Sequence, residues 1–328
     1  MKIWLPTLRT GTGTDVFTRR LTDGLNEQGI EAHISWFPLR YEFAPWLLRR
    51  VRPPPGTTII HANSWHAIGF ARHGLPLVVT VHHGTSSTLN WRQRFYHRLL
   101  IRVYEKIGLN AASRIVVISP STEDWLLKAH TIPPHKILTI LNGIDTTTFS
   151  PTAPPSSPPP FRLLFVGKPS YRKGADRLAP IMKNLGADFE LYCATGHHRL
   201  AHPFPGSVDV GWIEDDAALA DLYRSAHALL APSRLEGFGL AVVEASACGL
   251  PVVAADAPGL RDTVHHHETG YLVPGDDIEA YVQAIRALAR DEALRTRIGE
   301  NGRRWVCSRF TQQAMIHRHI DLYRKLSA

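Results

Sequence analysis

Between Ser150 and Phe161 the chain reads "SPTAPPSSPPPF". No helix or inner strand can run through such a stretch, because each proline removes a backbone donor and fixes φ. The tract is expected to be a linker. On both sides of it, short β-branched runs alternate with helical patterns. Before it, "TIIHA" (58–62), "LVVTVHH" (77–83), "RIVVIS" (114–119) and "KILTILN" (136–142) read as buried strands, with helices near 14–28, 91–108 and 120–130. After it, "RLLFVG" (162–167), "FELYCA" (189–194), "ALLAPS" (228–233) and "PVVAAD" (251–256) are strand-like, with helices between them. This alternation predicts an α/β fold of two Rossmann-like, doubly wound parallel-sheet domains. Such domains would face a cleft, with ligands outside the carboxyl ends of the strands. The expected boundaries are 1–150 for the first domain, 151–160 for the linker and 161–304 for the second domain. A last helix over 305–328 carries apolar residues at helical spacing and could pack back on the first domain.

Composition narrows the class. Hydrophobic residues at 44% and charged residues at 20% belong to a soluble globular protein rather than a disordered one. The three cysteines, Cys193, Cys248 and Cys307, are too few and too scattered for a disulfide framework or a zinc site, and suit a reducing cytoplasm. No run approaches the roughly 18 apolar residues of a spanning helix, and the N-terminus lacks a signal-peptide core. The formal net charge of +8 is unevenly placed. Up to Ser150 there are 17 basic and 9 acidic residues, and after it 20 of each. A basic first half suits an anionic partner such as phospholipid, nucleic acid or a phosphorylated substrate. No nucleic-acid motif accompanies it, so nucleic acid is not expected.

The densest local signal is "SRLEGFGLAVVEASACGLPVV", residues 233–253. Gly237 and Gly239 allow a ligand to approach the backbone closely. A helix starting near Gly239 would aim free amides and its positive dipole end at a phosphate. Glu244 would lie about a turn into that helix, where sugar hydroxyls are suitable donors to it. "EGFGLAVVE" resembles the Glu-x7-Glu motif of retaining glycosyltransferases of the GT-B fold, in the large GT4 family. The likeness continues through "EASACGLPVVAADAPGLRDTV" and "ETGYLVPGDD". "FVGKPSYRKG" (165–174) resembles the family's phosphate loop, and "ISPSTEDWL" and "ILNGIDTTTF" the end of its first domain.

The resemblance implies roles position by position. Gly167, Lys168 and Lys173 would meet the donor diphosphate, and fixed cations aimed at developing charge lower a barrier on electrostatic grounds as well. Lys168 stands where the family usually has arginine, and a lysine cannot form a bidentate fork; the neighbouring Arg172 is placed to compensate. Glu236 would sit by the transferred sugar and Glu244 by the ribose. The backbone of Phe238, Gly239 and Leu240 would face sugar and phosphate. Gly196 matches a glycine of the nucleotide-side loop, and Gly211-Trp212-Ile213 would run beside the base. In the first domain Thr12 and Gly13 of "RTGTGTDVF" match the family's Gly-Gly loop. His82 matches a histidine near the sugar, with His83 an alternative one residue on. The catalytic set is thus Glu236, Lys168, Lys173 and His82.

The implied reaction is retaining transfer from a nucleotide-sugar, UDP- or GDP-linked, to a glycan or lipid-linked acceptor in surface polysaccharide or lipopolysaccharide synthesis. No cofactor is expected. No Asp-x-Asp motif occurs, and the triplet His265–His267 cannot turn three successive side chains to one ion, so no metal is expected. "WRQRFYHRLLIRVYEK" (91–106) and "YEFAPWLLRRVR" (41–52) interleave basic and apolar residues. They suit peripheral contact with an anionic inner membrane face, or equally an amphipathic helix packed on its own domain. A nucleotide-sugar epimerase of the same fold and a non-catalytic binding subunit remain alternatives.

Overall fold

The computed structural model describes residues 1–327 apart from 12, 39–44, 84–101, 153–159, 197, 199, 201, 212 and 214. The chain divides into two units, Met1–Gly143 with Gln312–Ala328, and Ile144–Thr311. The first unit begins with β1 (Lys2–Leu8), α1 (Gly13–Glu27), β2 (Glu31–Phe37), β3 (Ile59–Asn63) and β4 (Leu77–Val81). It continues with α2 (102–111), β5 (Arg114–Val117), α3 (Pro120–Ala129) and β6 (Ile137–Thr139). Its strands lie parallel in the order β2-β1-β3-β4-β5-β6.

The second unit has β7 (Phe161–Val166), α4 (Ala175–Leu185), β8 (Phe189–Ala194), β9 (Ser207–Asp209), α5 (Asp216–Ser225) and β10 (Ala228–Ala231). Then come α6 (Leu240–Ala247), β11 (Val252–Ala255), β12 (Tyr271–Val273), α7 (Ile278–Arg290) and α8 (Glu292–Arg309). Its parallel order is β12-β11-β10-β7-β8-β9. The final helix, α9 (Gln312–Ser327), belongs to the first unit. Both sheets are the doubly wound α/β type expected. Their strand order reverses next to β1 and β7, which makes the carboxyl ends of β1 and β3, and of β7 and β10, the natural ligand positions.

Burial on both faces explains the β-branched runs. On β4, Leu77, Val79 and Val81 enter one core cluster and Val78 the other; β5 divides Ile115 and Val117 from Val116 in the same way. The second cluster is closed by Phe17, Leu21 and Leu25 of α1 with Met315, Ile316, Ile320 and Tyr323 of α9. Each fully buried aliphatic side chain here stabilises by roughly 1.5–3 kcal/mol.

Two boundaries differ from expectation. The units part at Gly143, not at Ser150, because residues 144–150 are tied to the second unit. The Ile144 amide donates to the Phe310 carbonyl and pairs with Thr311. Arg303 donates to the carbonyls of Thr146 and Phe149, and Arg224 to those of Thr148 and Ser150. The last helix starts at Gln312 rather than 305, since 305–309 finish α8. Much of the proline tract, and residues 91–101 of the basic segment, lie outside the described residues.

In α8, Gly299 sits against the turn after α6. A Cβ there would lie 2.0 Å from the Gly249 carbonyl oxygen, a backbone atom with no rotamer to change. Gly299→Ala is expected to destabilise the second unit by about 2 kcal/mol. For a unit of this size that is roughly 4–8 °C of its thermal transition, readable by calorimetry; an unchanged transition would refute the close packing.

Candidate functional site

Several helices of the chain begin conventionally. Ser119, Asp215, Asp277 and Asp291 each accept a hydrogen bond from an early amide of α3, α5, α7 and α8, the usual N-cap. The two helices that start at the β7 and β10 ends do not. Gly174 (φ +70°) precedes α4 and Gly239 (φ +85°) precedes α6, and neither start has a side-chain cap. At α4 the backbone fills that place, the Ala175 amide donating to the Ser170 carbonyl and the Arg177 amide to that of Gly174; both helix dipoles still favour an anion there.

Glycine also lets the two loops approach each other. A Cβ on Gly174 would lie 2.0 Å from the Pro232 carbonyl oxygen, and one on Gly259 2.3 Å from the Glu236 carbonyl oxygen. The Arg234 amide donates to the Arg172 carbonyl at 2.8 Å, and Arg172 Nη1 to the Leu235 carbonyl at 3.0 Å. Arg234 is locked in turn. It makes two 2.7 Å bonds to the Asp176 carboxylate, and its guanidinium lies 3.7 Å from the Tyr171 ring centroid.

Within this frame sits Glu236. Its Oε1 is 2.7 Å from Lys173 Nζ and accepts from Ser233 Oγ at 2.8 Å; its Oε2 accepts from Arg172 Nη1 at 3.3 Å. The side chain is only 10% exposed. Burial works to raise its pKa, but Lys173 first, then Arg172 and the hydrogen bonds from Lys173 and Ser233, outweigh it. The carboxyl stays below its ordinary value and ionised. Lys173 reaches Glu236 across the backbone of Gly167, whose φ is +130°. Lys173, Ser233, Glu236 and Gly239 border one small space walled by Phe165, Leu229 and Val242.

The other residues singled out from sequence fall variously. Lys168 is exposed at the end of β7 and does not border that space. Gly196 (φ +67°) follows β8, whose Ala194 carbonyl accepts from the Gly167 amide. Phe238 is 2% exposed and packs edge-on against Phe310, so only its backbone can face a ligand. Leu240 opens α6. Glu244 is 5% exposed and accepts from Tyr223 Oη at 3.1 Å; it does not border the Glu236 space. Trp212 and Thr12 lie outside the described residues. Sequence reading passed over Ser233 and Gly259, though the glycine after "DAP" was a legible signal.

In the first unit Gly13 opens α1, and two amides shortly before it are taken. Thr10 and Gly11 amides and the Thr10 hydroxyl all donate to the Asp15 carboxylate, at 2.6–3.1 Å. His82 follows β4, bonds Asn63 Oδ1 through Nε2 at 2.9 Å and meets Phe17 edge-on. Burial, then His83 and His66, push its pKa down to about 3. His83 is similarly half-buried. Deeper, His61 bridges Tyr323 Oη and Thr80 Oγ1 and stacks with His319. Among the described residues no three side chains are grouped to hold a metal ion, and the histidine triplet makes none: His266 Nδ1 accepts from the Leu272 amide.

Residues 149–305 match the family model of glycosyl transferases group 1, and residues 14–148 that of glycosyltransferase family 4. The D-inositol 3-phosphate glycosyltransferase 1 of Catenulispora acidiphila is 30% identical over 88% of this chain and 80% of its own length. The chain belongs to the group 1 glycosyltransferases. The alpha-maltose-1-phosphate synthase of Mycobacterium tuberculosis is 25% identical, over 83% of this chain and 80% of its own. Among solved structures, sucrose-phosphate synthase of Thermosynechococcus elongatus superposes with a TM-score of 0.85 at 24% identity, covering 99% of each chain. Anabaena HepE in complex with UDP-glucose gives 0.78 at 17%, covering 99% of this chain and all of the other. These two likenesses show that the glycosyltransferase has the GT-B fold.

Four buried or half-buried histidines of this glycosyltransferase set an acid limit. Burial is the main cause that lowers His66 and His319 to about 4, His82 to about 3, and His61 well below the ordinary 6.5. The stability they share is full above pH 6.5 and is lost as pH falls toward the folded values, because the unfolded chain takes the protons first. The first unit should lose roughly 1 kcal/mol per histidine between about pH 6.5 and 5.5. Circular dichroism melts across that range should fall steeply; a flat profile would contradict the burial.

Proposed function

We propose that this glycosyltransferase moves a sugar, with retention, from a nucleoside-diphosphate donor to a hydroxyl of a glycan or lipid-linked acceptor, without a metal. The observation that carries this is the Glu236 carboxylate held between Lys173 and Arg172 beside two helix starts that no side chain caps. One carboxylate against two cations leaves positive charge for a diphosphate, and the dipoles of α4 and α6 add to it. Lys173 and Lys168 would take the charge that a divalent ion takes elsewhere. Glu236 would accept from sugar hydroxyls and Glu244 from the ribose, with Gly167, Gly196, Gly239 and Leu240 offering backbone. His82 and Gly13 are the first unit's own candidates for holding a sugar.

In the proposed step the bond from the anomeric carbon to the diphosphate oxygen breaks, and the electron pair leaves with phosphate. The acceptor oxygen bonds to the same face of that carbon, and its proton passes to the departing phosphate. The UDP-glucose bound by HepE favours a UDP-sugar, with a GDP-sugar as the alternative. The relatives named for inositol 3-phosphate and maltose 1-phosphate favour a second reading, a small phosphorylated partner in place of a glycan.

The first unit's surface supports a lipid-linked acceptor in surface polysaccharide or lipopolysaccharide synthesis. No helix among the described residues is long and apolar enough to cross a membrane. On α2, Val103 and Ile107 are 43% and 45% exposed one turn apart, beside exposed Arg102 and Lys106. The short 3-10 helix Pro45–Arg50 adds exposed Trp46, Leu47, Arg49 and Arg50, and the Trp46 ring lies 5.2 Å from that of Tyr104. Apolar side chains ringed by cations suit an anionic bilayer face on the cytoplasmic side.

Two experiments test these readings. A thermal-shift panel of UDP, GDP, ADP, CDP and dTDP should single out one nucleotide, by about 2.7 kcal/mol at 100 times its dissociation constant. Glu244→Ala should lose that shift, and Lys168→Ala with Lys173→Ala should lower turnover at least about 100-fold, with a chelator harmless to the native enzyme. Turnover untouched by the double change would refute the donor site. Separately, the protein should sediment with vesicles containing phosphatidylglycerol but not with pure phosphatidylcholine, and Arg49→Glu with Arg50→Glu should release it. Equal sedimentation with both vesicle types would count against the bilayer contact.

A further inference from the structure

We infer that Arg172 is the positioning residue for Glu236, holding its carboxylate in place when Lys173 turns from it to the donor's diphosphate. The inference rests on the donor-site reading above. Lys173 and Arg172 both meet Glu236, but they are tethered differently. Lys173 Nζ pairs with Glu236 Oε1 alone, at the end of a flexible stem that crosses the Gly167 backbone. Arg172 is fixed at two further points: its carbonyl accepts from the Arg234 amide, and its Nη1 also donates to the Leu235 carbonyl. The same Nη1 that reaches Glu236 Oε2 therefore braces the backbone immediately before Glu236.

This division matters when an anion arrives. A diphosphate beside the α4 start attracts the mobile ammonium, and Oε1 keeps only Ser233 as partner. A buried carboxylate next to new negative charge is pushed toward protonation unless a cation stays with it. Once protonated, Glu236 would offer a donor where sugar hydroxyls need an acceptor. Arg172, pinned by Leu235, is the cation that stays. A lysine at 172 would keep the charge but carry it on a flexible stem, without the rigid planar fork that fixes Arg172 to carboxylate and carbonyl together. Arg234 cannot substitute, since Asp176 and the Tyr171 carbonyl occupy its guanidinium.

The decisive experiment compares the native chain with Arg172→Ala and Arg172→Lys, using two readouts. In the ligand-free protein, the Glu236 carboxyl carbon is titrated by NMR on chains labelled at glutamate, with Glu236→Gln to assign the signal. With the nucleotide-sugar that the thermal panel selects, kcat and KM are followed against pH. The expected result is a raised Glu236 pKa in Arg172→Ala and an acidic limb of kcat moved upward by about one unit. It also includes a kcat loss of roughly 30-fold or more with donor KM within about threefold. Arg172→Lys should restore the limb but only part of kcat. An unmoved titration in Arg172→Ala overturns the inference, as does a donor KM that rises while kcat holds, which would make Arg172 a phosphate ligand. If the native chain transfers no sugar, the donor-site reading fails by itself, and the ligand-free titration still decides the role of Arg172.

Discussion

A buried carboxylate is unfavourable unless cations and hydrogen bonds meet both its oxygens, and Glu236 is the point where the second unit satisfies that demand. Lys173 and Arg172 come from the loop after β7, and Ser233 from the segment after β10. The carboxylate therefore ties the ends of two neighbouring strands together. The surrounding glycines follow from the same need. Gly174 and Gly259 give the chain a path that any side chain would block, at Pro232 and at the Glu236 carbonyl itself. Helix dipoles, crowded glycines and paired cations are thus three aspects of one arrangement, a concentrated positive field with a fixed carboxylate at its edge.

Much of this was legible in the sequence. The buried parallel strands announced themselves through runs such as "LVVTV" and "FELYCA", because a strand covered on both faces must be apolar throughout; the second was placed at Phe189–Ala194, where it lies. What was missed has physical reasons. β1 contains Pro6, which argues against an inner strand, yet its pairing with β3 covers only Ile3 and Trp4 and ends before the proline. β2 buries only Ala32 fully, and β9 and β12 are three-residue edge strands, too short to show a period.

The site was legible where charge and glycine fall together, at Lys173 and at Glu236 to Gly239. Partnership was not. Sequence alone could pair neither Glu244 with Tyr223 nor Asp15 with the Thr10 and Gly11 amides, since each depends on side-chain direction in a finished helix. The proline tract misled by being conspicuous. Its composition marks an irregular segment, but the arginines of α5 and α8 decide where the second unit begins.

The place of α9 has a consequence for how the chain comes to be folded. Met315, Ile316, Ile320 and Tyr323 complete the core that begins with Ile3 and Leu5. On the ribosome those residues are made after the whole of the second unit, so the usual order in which the first-made domain folds first is inverted. The early half must wait with an apolar face uncovered, relying on chaperones or on speed, while the later half closes from contiguous sequence. Loss of the last helix, by proteolysis or a premature stop, would therefore damage the end of the protein farthest from it in sequence.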